Sequence, residues 1–94
     1  MTTPPAIRKT VTIVNKRGLH ARASAKFVET AAKFRSEVTV TKGDASVSGR
    51  SIMGLMMLAA SLGTSVELAA DGPDAHEAVN ALVALIAAKF YEDA

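Results

Sequence analysis

The chain changes character at Gly18-Leu19-His20-Ala21-Arg22, a stretch that separates a strand pattern from a helix pattern. Before it, apolar Ile7, Val11 and Ile13 alternate with mostly polar residues, as on a half-buried strand. After it, residues 20–34 place their apolar side chains at helical spacing. The stretch therefore predicts a strand, a short loop and a helix that begins at or beside His20.

A histidine at a helix N-terminus has a distinctive chemistry. The first backbone N–H groups of a helix have no partner within it, and the macrodipole adds partial positive charge, so phosphate binds there readily. We expect the His20 ring to be neutral and nucleophilic near neutral pH. Arg22 offers a guanidinium that suits phosphate oxygens, whereas Lys16 and Arg17 are expected to be loop charges. This combination suggests a histidine that accepts a phosphoryl group, whereas a histidine judged by its position alone more often only occupies a helix start.

The rest of the chain predicts a hairpin, a second helix, a fourth strand and a third helix. Gly43-Asp44 is a turn signal between two alternating segments. Ser51 is a suitable N-cap for an apolar helix over residues 52–62. Asp74 and Glu77 have the spacing of a capping box at the start of the last helix.

The element order is therefore β-α-β-β-α-β-α, and each strand has one apolar face. Such strands predict an α+β fold, with an antiparallel sheet that carries helices on one face only. The pattern leaves the strand order open, because a ferredoxin-like arrangement fits the same order of elements.

Length and composition exclude several classes of protein. A chain of 94 residues, 49% of them hydrophobic, predicts one domain over residues 1–94, with residues 1–5 as a flexible tail. Without cysteine, and with only two histidines, we expect no disulfide, metal or cofactor. The apolar segments at residues 52–62 and 78–88 are too short to cross a bilayer, and we expect a cytoplasmic protein without a signal peptide.

The charges are distributed unevenly along the chain. Residues 1–50 contain ten Lys or Arg and three Asp or Glu, whereas residues 51–94 contain one Lys and six acidic residues. A basic face formed by the first half favours an acidic protein partner. We expect no nucleic-acid partner, since no aromatic residue lies among the basic ones to stack on bases.

Two segments carry a family resemblance. Residues 18–24, Gly-Leu-His-Ala-Arg-Ala-Ser, resemble the active-site signature of HPr, the histidine-containing phosphocarrier family of the bacterial phosphotransferase system. Residues 50–58, Arg-Ser-Ile-Met-Gly-Leu-Met-Met-Leu, resemble the second signature of that family, around its regulatory serine. One departure is Ala23, where the family commonly has proline. We expect a looser first helical turn there and little loss of function.

The resemblance implies an open-faced β-sandwich with strand order 1-4-2-3 and a stoichiometric phosphocarrier, not a turnover enzyme. By position, His20 would accept a phosphoryl group on Nδ1 from enzyme I and pass it to IIA-type domains, with Arg22 stabilising the phosphate. Ser51 would be modified by a serine kinase/phosphorylase, where the organism has one. We expect the carrier to be a monomer.

The resemblance also implies a partner-binding surface beside His20. Its expected members are Ala21, Lys26, Arg50, Ile52, Met53 and Met56. The uniformly apolar pattern of residues 52–62 by itself predicts a fully buried helix. Because the sheet is open on one side and the helix is short, however, we expect some of Ile52, Met53 and Met56 to reach the surface, where flexible Met side chains suit several partners.

Two other functions remain open from the sequence. One is a non-catalytic regulatory binding module controlled by phosphorylation of Ser51, in which His20 has no role. The other is a small-molecule-sensing domain, although no glycine-rich loop or polar cluster indicates a ligand cleft. The second histidine, His76, is expected to be exposed and structural, because it lacks a neighbouring arginine.

Overall fold

The secondary structure follows the predicted order of strands and helices. The computed structural model describes residues 6–92, so the expected tail at residues 1–5 lies outside the described part. The elements are β1 (Ile7–Thr12), α1 (Ala21–Ala31), β2 (Glu37–Lys42), β3 (Ala45–Ser48), α2 (Ile52–Met57), β4 (Ser65–Asp71) and α3 (Ala75–Ala87). A 3-10 turn at Lys89–Tyr91, here called the C-terminal turn, follows α3.

The four strands form one antiparallel sheet in the order β1-β4-β2-β3, which confirms the implied strand order. In the register of this sheet, Val11 lies opposite Val66 and Val40 lies opposite Leu68. Apolar residues therefore line up across neighbouring strands, and their shared face forms one side of the core.

The helices cover this apolar face. Val40 and Leu68 are fully buried in the same cluster as Phe27 of α1 and Leu82 of α3. The alternate residues of β2, such as Thr39, are exposed. The prediction of an α+β fold with one covered sheet face is therefore confirmed. No helix within residues 6–92 is long and apolar enough to cross a membrane.

Helix α2 is shorter than predicted, because it ends at Met57 and not near Leu62. Ala59 adopts a left-handed backbone (φ 53°), which stops the helix. The ammonium group of Lys42 donates to the carbonyl oxygens of Leu58 and Ala59 at 3.0 and 3.2 Å. A lysine from β2 thus satisfies carbonyls at the end of α2, and a distant residue of this kind leaves no local sequence signal.

The predicted capping box at α3 is wrong. Asp74 is the N-cap residue, but its side chain makes no capping hydrogen bond to the helix. Its carboxylate instead accepts hydrogen bonds from Ser36 Oγ at 2.6 Å and from the backbone N–H groups of Arg35 and Ser36 at 2.9 Å each. These bonds, the hydroxyl of Ser36 first, hold the pKa of Asp74 below its usual value. The carboxylate therefore joins the start of α3 to the segment before β2.

Candidate functional site

The loop before α1 is held tightly against the segment that follows α2. Gly18 has a φ of +62°, and a Cβ atom at this position would lie 2.3 Å from the carbonyl oxygen of Ala60. The N–H of Leu19 donates to the same oxygen at 2.9 Å, and the buried side chain of Asn15 donates to the Gly18 carbonyl at 2.8 Å. Only glycine fits such a position, and the backbone that leads into His20 is fixed as a result.

His20 is the N-cap residue of α1, as predicted, with an extended backbone (φ −73°, ψ 179°). Its carbonyl accepts the N–H of Ser24 at 2.9 Å, the first hydrogen bond of the helix. The N–H groups of Ala21, Arg22 and Ala23 consequently have no partner within α1. The His20 ring does not cap them, and its side chain is 19% exposed. The start of α1 therefore offers free amides next to a ring that solvent can reach.

No feature of the sequence indicated which residue holds the ring. Nε2 of His20 lies 2.7 Å from Oε1 of Glu92, near the other end of the chain, and the Glu92 side chain is only 10% exposed. The same oxygen accepts a hydrogen bond from Nδ2 of Asn15 at 3.2 Å. Within residues 6–92, Nδ1 of His20 makes no hydrogen bond. No local motif could have revealed this contact, because the two residues are 72 positions apart.

Neither of the arginines on the two sides of His20 in the chain, Arg17 and Arg22, is bonded to the ring. Arg22 is exposed and forms no side-chain hydrogen bond or ion pair with any residue between 6 and 92. Arg17, expected to be a loop charge, lines one shallow groove together with His20, Leu19 and Ser61. The sequence singled out Arg22, whereas the structure shows Arg17 in one groove with the histidine.

Helix α2 presents an apolar surface, so the interpretation of a fully buried helix is wrong. Only Leu55 of its residues is buried. The exposed members, here called the apolar patch, are Ile52, Met53, Met56 and Met57 of α2 together with Leu62. Surface exposure was expected for three of them, Ile52, Met53 and Met56. Met57 and Leu62 extend the patch beyond that expectation.

The basic residues expected around the patch lie in different places. Lys26 is half-buried, and its ammonium group donates to the carbonyl oxygen of Phe90 at 2.6 Å. The guanidinium of Arg50 donates to the carbonyl oxygen of Phe34 at 2.9 Å, beyond the C-terminal end of α1. Since α1 has 11 residues and rises about 1.5 Å per residue, Arg50 lies at the opposite end of this helix from His20. Arg50 therefore lies away from His20, next to Ser51 at the start of α2.

Ser51 is the N-cap of α2, as predicted: its hydroxyl oxygen accepts the N–H of Gly54 at 2.9 Å. The serine is half-buried and precedes the exposed Ile52 directly. His76 is exposed, as expected, and its ring lies 3.2 Å from the amide nitrogen of Asn80. Between residues 6 and 92, no three His, Cys, Asp or Glu side chains are grouped to hold a metal ion.

Comparisons with known proteins agree with this geometry. Residues 7–88 match the family model described as PTS HPr component phosphorylation site. The chain is 57% identical over 86 residues to the phosphocarrier protein HPr of Neisseria meningitidis serogroup A, covering 92% of this chain and 97% of that one. It is 51% identical over 86 residues to the HPr of Cupriavidus necator, with the same coverage.

Solved structures extend the likeness to the fold. The crystal structure of HPr-C-His from Thermoanaerobacter tengcongensis superposes with a TM-score of 0.89 at 49% identity, covering 94% of this chain and 99% of that one. A shared fold at such identity, over nearly the whole of both chains, places them in one family. The chain therefore belongs to the HPr family, whose members are phosphocarriers of the phosphotransferase system and not catalytic enzymes.

Proposed function

We propose that His20 carries the phosphoryl group, receiving it from enzyme I and passing it to IIA-type domains. The observation that carries this proposal is the position of the ring at the start of α1, partly exposed, with Nδ1 unbonded within the described chain. An unprotonated Nδ1 has a lone pair available for attack on phosphorus. The neighbouring free amides can then receive the phosphate oxygens.

The surrounding charges suit phosphoryl transfer between two histidines. Such a reaction depends mainly on in-line positioning and on neutralisation of the negative charge of the transferred group. The N–H groups of the first turn of α1 supply fixed partial positive charge, and Arg22 and Arg17 supply two mobile cations. Because the arginines are not engaged with other side chains between residues 6 and 92, both can turn toward the phosphate when it arrives.

The apolar patch fits the other requirement of a carrier, which must bind its partners briefly. Met53 is 68% exposed and Met57 is 77% exposed, so their burial by a partner would supply a hydrophobic centre for the interface. Helices α1 and α2 pack against each other, which brings the patch onto the same side of the sheet as His20. Flexible Met side chains can adapt to both a donor and an acceptor protein.

Phosphorylation by purified enzyme I and phosphoenolpyruvate tests this proposal. We expect one acid-labile phosphate per chain, no labelling of His20→Ala, and normal labelling of the control His76→Ala. His76 is the matched control because it is the only other histidine of the chain. Equal labelling of His20→Ala and the unmodified protein would overturn the assignment of His20. Discharge of the label by an added IIA-type domain tests the second half of the relay.

We propose, as a second function, that Ser51 is a regulatory phosphorylation site. Its hydroxyl lies at the N-terminus of α2, where the helix tolerates negative charge, and at the border of the apolar patch. A phosphate would add a charge of about −1.5 to −2 at that border. The charge would oppose docking of an acidic partner without unfolding α2.

The alternative of a purely regulatory binding module makes a different prediction. It requires an acid-stable phosphate on Ser51, absent from Ser51→Ala, and no acid-labile phosphate on His20. Exposure of the protein to the serine kinase/phosphorylase and to enzyme I in separate reactions distinguishes the two functions. A carrier that is also regulated gives both kinds of label.

A further inference from the structure

We propose that Glu92 is a positioning residue for phosphoryl transfer, which orients the His20 ring through Nε2 and balances the positive charge that the ring gains when Nδ1 is phosphorylated. The inference rests on the proposed role of His20 as phospho-acceptor. It adds a carboxylate from the other end of the chain to the reacting histidine.

The contact between Glu92 and His20 is short and sheltered. The distance of 2.7 Å between Oε1 and Nε2 is typical of a charge-assisted hydrogen bond. Only 10% of the Glu92 side chain is exposed, so water competes weakly for this carboxylate. A carboxylate is an acceptor only, so Nε2 must carry the proton, and the lone pair of a neutral ring is then on Nδ1. The contact thus selects the tautomer in which Nδ1 is the nucleophile.

Glu92 is itself held from a second side. Nδ2 of Asn15 donates to the same Oε1 at 3.2 Å and to the carbonyl of Gly18 at 2.8 Å. Asn15 is fully buried in the loop that leads into α1. One buried amide therefore ties the carboxylate to the loop that positions His20, and the three side chains keep a fixed mutual geometry.

The C-terminal turn delivers Glu92 to this place. Lys89, Phe90 and Tyr91 all have left-handed backbones, with φ of 57°, 55° and 59°. Residues with a Cβ rarely adopt this region, and three in succession persist only where the surroundings impose it. The fully buried ring of Phe90 and the 2.6 Å bond from Lys26 to the Phe90 carbonyl supply that constraint. The chain reverses at this turn and directs Glu92 back toward α1.

In the transfer to His20, the P–N bond that forms is matched by a P–N bond that breaks in the donor. The Nδ1 lone pair of His20 forms the new bond to phosphorus, while the P–N bond of the donor phosphohistidine breaks and its electron pair returns to the donor nitrogen. The His20 ring keeps its Nε2 proton and becomes a phosphorylated imidazolium, whose positive charge faces the Glu92 carboxylate. A cationic ring is also the better leaving group for the next transfer, in which the same electrons flow in reverse.

A carboxylate and a phosphate repel each other, but the position of Glu92 keeps it apart from the phosphoryl group. Nε2 and Nδ1 lie on different edges of the imidazole ring, so the carboxylate contacts the edge away from the incoming phosphoryl group. The free amides of the first turn of α1 and the guanidinium of Arg17, which lines one groove with His20, supply positive charge for the phosphate. The ring therefore separates the two anions.

Nitrogen NMR of the unphosphorylated protein tests the contact independently of any transfer. We expect Nε2 of His20 to give a protonated signal and Nδ1 an unprotonated one. Glu92→Gln should retain this pattern, because the amide oxygen still accepts a hydrogen bond. Glu92→Ala should show the exchanging mixture of a free histidine. A pattern that is identical in the unmodified protein and in Glu92→Ala would overturn the inference.

The rate of phosphorylation by enzyme I separates a positioning role from a merely structural one. Loss of a charge-assisted hydrogen bond at a partly exposed ring predicts a rate that is roughly tenfold lower for Glu92→Ala. Glu92→Gln should fall in between, since it keeps the hydrogen bond and loses the charge. The matched control is Glu29→Gln, which changes an exposed glutamate of α1 and should leave the rate unchanged. Equal rates for all four proteins would overturn the inference, whereas labelling of His20→Ala would overturn the proposed function instead.

Discussion

Substitution of Gly18 by alanine should destabilise the protein far more than the same change at Gly43. Both glycines have left-handed backbones, with φ of +62° at Gly18 and +58° at Gly43. A Cβ atom at Gly43 would meet nothing within 4 Å, whereas at Gly18 it would lie 2.3 Å from the carbonyl oxygen of Ala60. Comparison of the two substitutions therefore separates the free-energy cost of the left-handed backbone from the cost of the close approach to Ala60.

The expected magnitudes follow from these contacts. A left-handed alanine costs about 1 kcal/mol relative to glycine, which is the whole effect at Gly43. At Gly18 the loop must also move away from Ala60. The bonds from Leu19 to Ala60 and from Asn15 to Gly18 are then weakened, at about 1 kcal/mol each. We therefore expect Gly18→Ala to lower the free energy of unfolding by about 3 kcal/mol.

Urea denaturation of the two variants measures this difference, with thermal unfolding as a second measurement. For a domain of this size, about 3 kcal/mol corresponds to a decrease in Tm of roughly 12–24 °C, against roughly 4–8 °C for Gly43→Ala. Equal losses in the two variants would refute the argument that the close approach to Ala60 fixes the loop. Phosphorylation of the folded fraction should also slow in Gly18→Ala, because the same loop positions His20.

Three other predictions concern single side chains. Ser51→Ala removes the N-cap of α2 and should lower the free energy of unfolding by about 1 kcal/mol, as measured by urea denaturation. Ser51→Asp should retain the cap, so an equal loss of stability in the two variants would contradict this role. Asp74→Asn should destabilise the protein at neutral pH. Because the folded-state pKa of Asp74 is lowered, the stability that its carboxylate contributes is present above the ordinary Asp pKa of about 4 and is lost as pH falls through the folded value. The free energies of unfolding of the two proteins, measured by denaturation, should therefore converge in acid. A difference between them that stays the same at every pH would exclude this cause. Arg17→Ala should slow phosphorylation by enzyme I by roughly tenfold, which is the effect of one lost charge-assisted contact. Lys16 is the exposed neighbour of Arg17, and Lys16→Ala should have little effect on this rate. Equal rates for the two variants would show that only the net charge of the loop matters.

The sequence was sufficient where the controlling interactions are local. The alternation of apolar residues defines β1 to β4, and the N-cap role of Ser51 depends only on Gly54, three residues away. The position of His20 at the start of α1 likewise follows from a change of period within a few residues. The strand order needed the family resemblance, since periodicity does not determine which strands pair.

Predictions failed where a distant residue takes over a local role. The capping box at α3 has the right spacing, yet Ser36 and the backbone of Arg35 occupy the Asp74 carboxylate. Helix α2 was expected to reach Leu62, but Lys42 from β2 satisfies its terminal carbonyls several residues earlier. Long-range partners of this kind outweigh helix signals that extend over a few residues only.

The candidate site was predicted only in part for the same reason. His20 and Arg22 lie in one short motif, so the sequence identifies both. Glu92 reaches the ring only because the C-terminal turn reverses the chain with three left-handed residues that are not glycine. That conformation contradicts the local preference of Phe90 and Tyr91, and it depends on burial of the Phe90 ring in a core that exists only in the folded chain.

Location of the phosphorus atom after reaction with enzyme I and phosphoenolpyruvate tests the central claim most directly. Phosphorus and nitrogen NMR of the labelled protein should show a single phosphoramidate on Nδ1 of His20, with Nε2 still protonated against Glu92. Phosphate on Nε2, on His76 or on no histidine would contradict the account.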